Sequence, residues 1–248
     1  MSLFRVARHA HDEVVDIDGR PVRLRVDARA RRISLRVDVA GRQVVATAPT
    51  ARRLAEAVAF ARSRAAWISD RLDAMPHGQT FAPGQMLEIQ GAPCRLERAA
   101  MRIKPRLAPA TDAEPMRLIA SGEGEAYAAA VHRALKAEAL RLLMARTEVH
   151  AAALGRPVPS VAVTDARARW GSCVPADRSG PGRIRYSWRL LLATPEVLDY
   201  VAAHECAHLI EANHSDRFWA VVKQLYGDHR PARAWLKAHG ARLHAAGR

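Results

Sequence analysis

Apolar and polar residues alternate along the first fifty positions of the chain. The alternation covers residues 22–26 and 33–37, where arginine fills most polar positions, and it continues less regularly over 42–48. A period of two is typical of half-buried strands, so we predict three strands, each with a core face and a solvated face. Shorter apolar runs predict further strands at 86–89, 94–97, 116–120, 161–164 and 183–188. The sequence shows no internal repeat.

Helical spacing begins after Pro49. Apolar residues then recur every three or four positions, which predicts one helix that covers the strands and has Thr50 as its N-cap. This stripe consists of Leu54, Val58, Ala61, Ala65, Ile68 and Leu72. A longer helix is predicted over 125–154, because Gly155 is a typical C-terminal stop.

A third helix is predicted to begin at Thr194. The run Thr194-Pro195-Glu196 combines an N-cap residue, a proline at the first helical position and an acidic first turn. We predict that this helix ends near Ala212 and that Asn213 then adopts a left-handed conformation. Ser215 is predicted to cap the next helix, and a last helix is predicted over 231–243.

Together these elements indicate an α+β fold. We expect a β-rich N-terminal region with one helix at residues 1–122 and a second domain at 123–248. No stretch is long and apolar enough to span a membrane, and the first residues lack the apolar segment of a secretory signal. The three cysteines, Cys94, Cys173 and Cys206, do not suggest a disulfide framework, so we expect a cytoplasmic protein.

One short motif, at residues 204–208, is typical of a metal-binding site. His204 and His208 lie four residues apart with Glu205 between them, which is the H-E-x-x-H pattern of zinc hydrolases. Histidines at this spacing point to the same side of a helix and can bind one metal ion. Zinc favours such ligands, although other divalent metals accept them too. We expect one zinc ion per chain, with Glu205 as the general base that activates water.

A catalytic zinc site needs a third protein ligand, and His214 and Glu211 are the candidates. Glu211 lies on the same predicted helix seven residues after His204, which corresponds to about 10 Å of rise. His214 can return toward the metal after a turn, so we favour His214. The spacing equals that of metzincins, but Glu211 replaces their glycine and no methionine follows Met144 to form their Met-turn.

The composition adds a strong positive charge. The formal net charge is +14, and 35 of the 39 basic residues are arginine. Such a charge is compatible with an anionic partner, such as a nucleotide or a nucleic acid. Arginines spread over solvated faces are the simpler explanation, because no recognisable nucleic-acid-binding module is present.

A second motif narrows the class of enzyme. Residues 169–173, Arg-Trp-Gly-Ser-Cys, precede the H-E-x-x-H helix, and the runs 213–215 and 218–219 follow it. This order resembles the YgjP-like metallopeptidase family, which is related to the SprT-type and WLM-type zinc proteins. The resemblance covers most of the chain and is strongest over 169–219.

The resemblance implies a zincin-like minimal metallopeptidase domain. In that domain His204, His208 and His214 would be the zinc ligands, and Glu205 would be the catalytic acid and base. The resemblance also implies that residues 169–173 lie close to the active-site cleft.

Residues 169–173 have a functional and a structural interpretation. Arg169, Trp170 and Ser172 are candidate substrate-binding residues, and Cys173 is a further candidate metal ligand. The structural interpretation assigns Gly171 to a tight turn and Trp170 to packing. An enlarged loop over 175–182 departs from the compact family pattern and can alter substrate access.

The sequence favours a zinc-dependent hydrolase of peptide bonds, with a peptide or protein as substrate. A metal-dependent nucleoside triphosphate hydrolase at the same site is an alternative, because a metal and guanidinium groups both stabilise phosphate charge. A nucleic-acid-binding protein with a structural zinc is a third hypothesis, although structural zinc sites are usually closed and rich in cysteine. No oligomeric state is predicted.

Overall fold

The computed structural model describes residues 9–38, 41, 43–74, 80–166, 169–176, 180 and 182–247. Over these residues the chain is mixed α/β, and its contacts divide it into two compact units, Met1–His77 and Gly78–Arg248. The predicted division at residue 122 falls within the second unit. None of the described helices has the length and apolar character needed to cross a membrane.

The first unit is a four-stranded sheet with its helices packed on it. The elements are β1 (Val14–Ile17), β2 (Arg20–Val26), β3 (Ser34–Asp38), β4 (Gln43–Ala48), the 3₁₀ helix Ala51–Arg53, α1 (Leu54–Arg62) and α2 (Ala65–Asp73). The strand order is β1-β2-β4-β3, with β2 and β4 parallel and the other pairs antiparallel. Leu24 and Val44 of the sheet and Leu54 and Ile68 of the helices are fully buried in one core.

The prediction of one helix in this region is wrong, because the structure has α1 and α2 in its place. The Ser63 N–H donates to the Ala59 carbonyl, and the Ser63 hydroxyl donates to the Phe60 carbonyl at 2.8 Å. Serine side chains that bond to a nearby carbonyl compete with helix continuation. Arg64 then leaves the helical region, with φ −119° and ψ 20°. Thr50 precedes the 3₁₀ helix with extended backbone, but its side chain makes no capping hydrogen bond.

The second unit contains two sheets, four α-helices and one 3₁₀ helix among the described residues. The first sheet consists of β5 (Met86–Ile89), β6 (Ala92–Arg98), β7 (Arg106–Ala108) and β8 (Met116–Ala120), in the order β5-β6-β8-β7. The second sheet consists of β9 (Ser160–Thr164), β10 (Gly171–Val174) and β11 (Arg183–Ser187), in the order β10-β11-β9. The helices are α3 (Gly124–Ala153), the 3₁₀ helix Trp188–Leu192, α4 (Pro195–Ala207), α5 (Asp216–Tyr226) and α6 (Arg230–Ala245).

Two of the three sheets repeat one arrangement. Every residue pair recorded between β5, β6, β7 and β8 has a counterpart 72 positions earlier, so that Cys94 faces Met116 as Val22 faces Val44. The chain therefore contains an internal structural repeat, and the expectation of no repeat is wrong. In the first hairpin, five positions carry the same residue as the position 72 later in the chain. They are Ile17, Gly19, Pro21, Arg23 and Leu24.

The turn of the first hairpin is the same in both repeats. Asp18 and Gly19 have φ values of 51° and 78°, and Gln90 and Gly91 have 51° and 75°. Two central residues with positive φ form the turn whose twist matches that of paired strands, and Asp-Gly is a typical sequence for it. Strand β1, which the alternation did not predict, is explained by this turn.

Other predicted boundaries shift by a few residues. The strand predicted over 183–188 ends at Ser187, because Trp188 begins a 3₁₀ helix. Strand β7 lies in a proline-containing segment where no strand was predicted. Arg42, residues 75–79 and most of the turn-rich segment 177–182 lie outside the described residues.

A partly buried polar cluster joins α3 to α4. The Asp199 carboxylate accepts hydrogen bonds from His150 Nε2 at 2.6 Å and from Arg146 Nε at 2.7 Å. Burial raises the pKa of Asp199, but the two hydrogen bonds outweigh burial, and the pKa lies below its ordinary value. His150 is 2% exposed, so its ring depends on this carboxylate for a partner.

Asp199→Asn is expected to lower the free energy of unfolding by about 2 kcal/mol near neutral pH. The pKa of Asp199 is lowered in the folded state, so its contribution is present above the unfolded pKa and is lost as the pH falls through the folded pKa. The difference between variant and wild type should therefore shrink below about pH 4. Urea unfolding at about pH 7 and about pH 2.5 measures both quantities. Glu148→Gln on the exposed face of α3 is the control. If the difference in the free energy of unfolding between Asp199→Asn and wild type did not change with pH, the stabilising role of the Asp199 carboxylate would be contradicted.

Candidate metal centre

Three imidazole rings converge at the C-terminal end of α4. One ring nitrogen from each of His204, His208 and His214 lies within 4.8 Å of the others. His204 Nε2 and His214 Nε2 are 3.1 Å apart. Two nitrogens bound tetrahedrally to one zinc ion lie about 3.3 Å apart. The donor set and its spacing therefore fit a single metal ion.

Helix α4 ends earlier than predicted, and this early end helps to form the cluster. The helix stops at Ala207, with His208 as its C-cap, rather than near Ala212. The next two N–H groups bond to carbonyls three residues back, at 2.9 and 3.1 Å, which tightens the last turn. Asn213 does not have the positive φ that was predicted.

His208 is oriented by a backbone contact. Its Nδ1 donates to the carbonyl of Glu211 at 2.9 Å, which leaves Nε2 free to bind a metal. Metal-binding histidines commonly make such a bond through their second nitrogen. Glu211 thus contributes its carbonyl here, and its carboxylate is not part of the histidine cluster found among the described residues.

His214 is held by the start of α5. Ser215 is the N-cap of this helix, as predicted, and its hydroxyl accepts a hydrogen bond from the Phe218 N–H at 3.4 Å. Phe218 is fully buried, and its ring centroid lies 4.8, 4.5 and 4.7 Å from those of His204, His208 and His214. One aromatic ring therefore supports all three histidines.

The environment favours the neutral form of His204 and His208. Burial lowers the pKa of His204 to about 3, and the neighbouring charges of His208 and His214 act in the same direction. Burial also lowers the pKa of His208. Neutral imidazole is the form that binds a metal.

Glu205 follows His204 on α4 and is almost completely buried. Its exposed fraction is 6%, and burial raises the pKa of its carboxyl to about 7, while the charge of Arg169 acts in the opposite direction. A Cβ atom added to Gly171 would lie only 2.4 Å from Glu205 Oε1. Gly171 does not have positive φ, so it serves close packing against Glu205 rather than the predicted tight turn.

The family model of the YgjP-like metallopeptidase domain matches residues 31–239. The chain belongs to the YgjP-like family. This confirms the resemblance drawn from the sequence and identifies a metallopeptidase-family domain, for which a metal cofactor and a hydrolytic activity are implied. A search of curated proteins and a search of solved structures each returned no significant match.

In this YgjP-like chain, Trp170 packs inside the second unit. Its ring stacks on His244 of α6 with 4.2 Å between centroids. A Cβ atom added to Gly240 would lie 3.1 Å from Trp170 Cζ2, so a larger residue there would crowd the Trp170 ring. These contacts account for Trp170 as a packing residue, and they do not bring it to the histidine cluster.

The other members of the 169–173 motif differ in exposure. Arg169 is exposed, and Ser172 is half-buried in β10 opposite Arg185. Burial raises the pKa of the Cys173 thiol to about 12, and the Glu205 charge adds to this effect. The thiol form therefore predominates at Cys173, and Cys173 is not in the histidine cluster found among the described residues.

The YgjP-like site has aromatic and cationic neighbours that the sequence motifs did not single out. His229 stacks on Trp219 at 4.5 Å and faces Tyr200 at 6.0 Å. The Arg233 guanidinium lies 5.6 Å from the centre of the Trp219 ring. No spacing in the sequence relates His229 to His204. Only the packing of α5 and α6 around α4 brings these residues together.

Proposed function

We propose that this protein is a zinc-dependent peptidase with His204, His208 and His214 as the zinc ligands and Glu205 as the general base. The convergence of the three imidazoles beside a buried carboxylate carries this proposal, and membership of a metallopeptidase family supports it. A zincin-like character of the domain is part of the same proposal.

A bound zinc ion would supply Lewis acidity toward the scissile carbonyl and toward water. Glu205 would accept a proton from the attacking water and later donate it to the leaving nitrogen. Gly171 lets the Glu205 carboxylate lie against β10, where bulk water is largely excluded. Phe218 fixes the relative orientation of the three rings, so the donor atoms need little rearrangement to bind the ion.

Strand β10 offers a route for an extended substrate. It pairs with β11 on one side, and its other edge is unpaired among the residues described. A peptide can align along such an edge through main-chain hydrogen bonds. Because Gly171 contacts Glu205, a peptide paired with β10 would pass close to the general base. Ser172 and exposed Arg169 are the side chains we propose to contact it, whereas Trp170 acts through packing.

Hydrolysis of a nucleoside triphosphate is the second candidate. Arg233 and half-buried His229 lie beside the histidine cluster, and a guanidinium at such a position stabilises phosphate charge. The peptidase proposal stands first because it accounts for the unpaired edge of β10 and for the family. Both candidates use the same ligands, so only the substrate separates them.

A substrate screen tests the proposal. The zinc-loaded protein is expected to cleave members of a mixed peptide library and to leave nucleoside triphosphates intact, and chelation should lower the peptide cleavage at least about 100-fold. Cleavage is followed by mass spectrometry, and phosphate release is measured in parallel. His214→Ala is the control, with less bound zinc and no cleavage expected. Zinc-dependent phosphate release without peptide cleavage would reject the peptidase in favour of the second candidate.

A further inference from the structure

The first unit carries a groove along the edge of its sheet. The groove has a volume of about 400 Å³ and is lined by residues 32–35, Phe60, Arg64 and Trp67. Alternate residues of a strand point to opposite faces, so a groove on one face would be lined by every second residue. Four consecutive residues line this groove, and we infer that it follows the backbone edge at the start of β3. Strand β3 pairs only with β4 among the described strands, which leaves its outer N–H and C=O groups without partners there.

The groove combines an apolar floor with cationic rims. Ile33, Leu35 and Trp67 are half-buried and pack on the core of the unit, while Phe60 is 37% exposed. The Arg64 guanidinium lies 5.9 Å from the Phe60 ring centre, and that of Arg71 lies 5.9 Å from Trp67. Arg32 and Arg64 are both exposed.

Within the part of the chain that the structure describes, the arginines of this groove lack acidic partners. The arginine–carboxylate ion pairs described in the unit use Arg20, Arg23, Arg25 and Arg53. Arg32 and Arg64 therefore have no carboxylate partner among the described residues, and no acidic residue lines the groove. The charge complementarity of the groove is with an anionic ligand.

We propose that this groove binds an acidic peptide segment as an added strand of the sheet. The peptide backbone pairs with the free edge of β3, and one apolar side chain enters the floor beside Leu35 and Trp67. Aspartate or glutamate residues of the peptide meet the exposed guanidinium groups of Arg32 and Arg64. A nucleic acid is less suitable, because it has no backbone pattern that matches the alternating donors and acceptors of a strand edge. The inference is independent of the proposed hydrolytic site.

Fluorescence anisotropy with the full chain tests the proposal. The probe is a labelled heptapeptide, Glu-Val-Asp-Leu-Glu-Val-Asp, and the same peptide with lysine at every acidic position is expected not to bind. The double variant Arg32→Glu, Arg64→Glu should weaken binding of the acidic peptide at least about tenfold. The matched double variant Arg29→Glu, Arg52→Glu makes the same charge change at exposed positions outside the groove and should alter the affinity less than about threefold. Circular dichroism verifies that both variants are folded, and Arg32→Ala, Arg64→Ala provides a milder second test.

Backbone pairing is tested separately from charge. Peptides N-methylated at alternate residues block one edge of the added strand, and one of the two alternation patterns should abolish binding while the other retains it. Equal weakening by both charge-reversal variants would overturn the groove as the binding site, and undiminished binding of both N-methylated peptides would overturn strand addition. Tighter binding of a twelve-residue oligothymidylate that depends on Arg32 and Arg64 would assign the groove to nucleic acid instead.

Discussion

Glu205→Gln is expected to lower kcat/KM for peptide cleavage by about a thousandfold while leaving the zinc content unchanged. Glutamine has nearly the same volume as glutamate, so it can occupy the buried space beside Gly171, where the Glu205 side chain is 6% exposed. An amide cannot accept a proton from water as a carboxylate does. The three histidines are untouched, so the metal should remain. Steady-state kinetics on a peptide found in the substrate screen, together with metal analysis of the purified variant, measure both quantities.

Glu211→Gln is the matched control for this experiment. It makes the same chemical change near the histidine cluster, but the contact that Glu211 makes with His208 uses its backbone carbonyl. Turnover close to that of the wild type is therefore expected for Glu211→Gln. If Glu205→Gln also kept more than about a tenth of wild-type turnover, Glu205 would not be the general base.

The local parts of the site follow from the sequence. The four-residue spacing of His204 and His208 places both rings on one side of a helix, and Thr194-Pro195 marks where that helix begins. Ser215 marks the start of the next helix in the same way. These are short-range effects of backbone geometry and capping, and each depends on residues only a few positions apart.

The supporting contacts depend on residues far apart in the chain, and the sequence does not reveal them. No pattern predicts that Gly171 packs on Glu205, because the contact depends on how β10 lies against α4. The early end of α4 is similar, since the helical pattern continues through Ala212 and the turn is stabilised by the bond from His208 to the Glu211 carbonyl. His229 reaches the site only through the packing of Trp219 and Tyr200.

The repeated sheet was missed for a different reason. The two copies keep the same register and the same turn, but most paired positions differ in residue type, as Val22 and Cys94 do. A sheet needs alternation, a turn that allows positive φ, and apolar residues on one face. Many residues satisfy these requirements, so the arrangement is preserved while the sequence similarity is weak.

Gly171→Ala is expected to reduce kcat/KM by about a hundredfold or more without loss of zinc. The added Cβ would lie 2.4 to 2.6 Å from the Oε1, Cγ and Cδ atoms of Glu205, so the Glu205 side chain must move. No atom of the three histidines is among the atoms nearest to this methyl group. The expected result is a folded, metal-containing protein with a misplaced base, detected by kinetics, metal analysis and thermal unfolding.

The combination of Gly171→Ala with Glu205→Gln decides whether the glycine acts through the glutamate. If it does, Gly171→Ala should lower turnover strongly in the wild-type background and much less in the Glu205→Gln background, because residues that act as a unit are not additive. Gly182→Ala is the control, since its Cβ would meet neighbours at 3.2 to 3.4 Å and contact no atom of Glu205. Equal fractional losses in both backgrounds would show that Gly171 supports the sheet alone and that its closeness to Glu205 has no catalytic consequence.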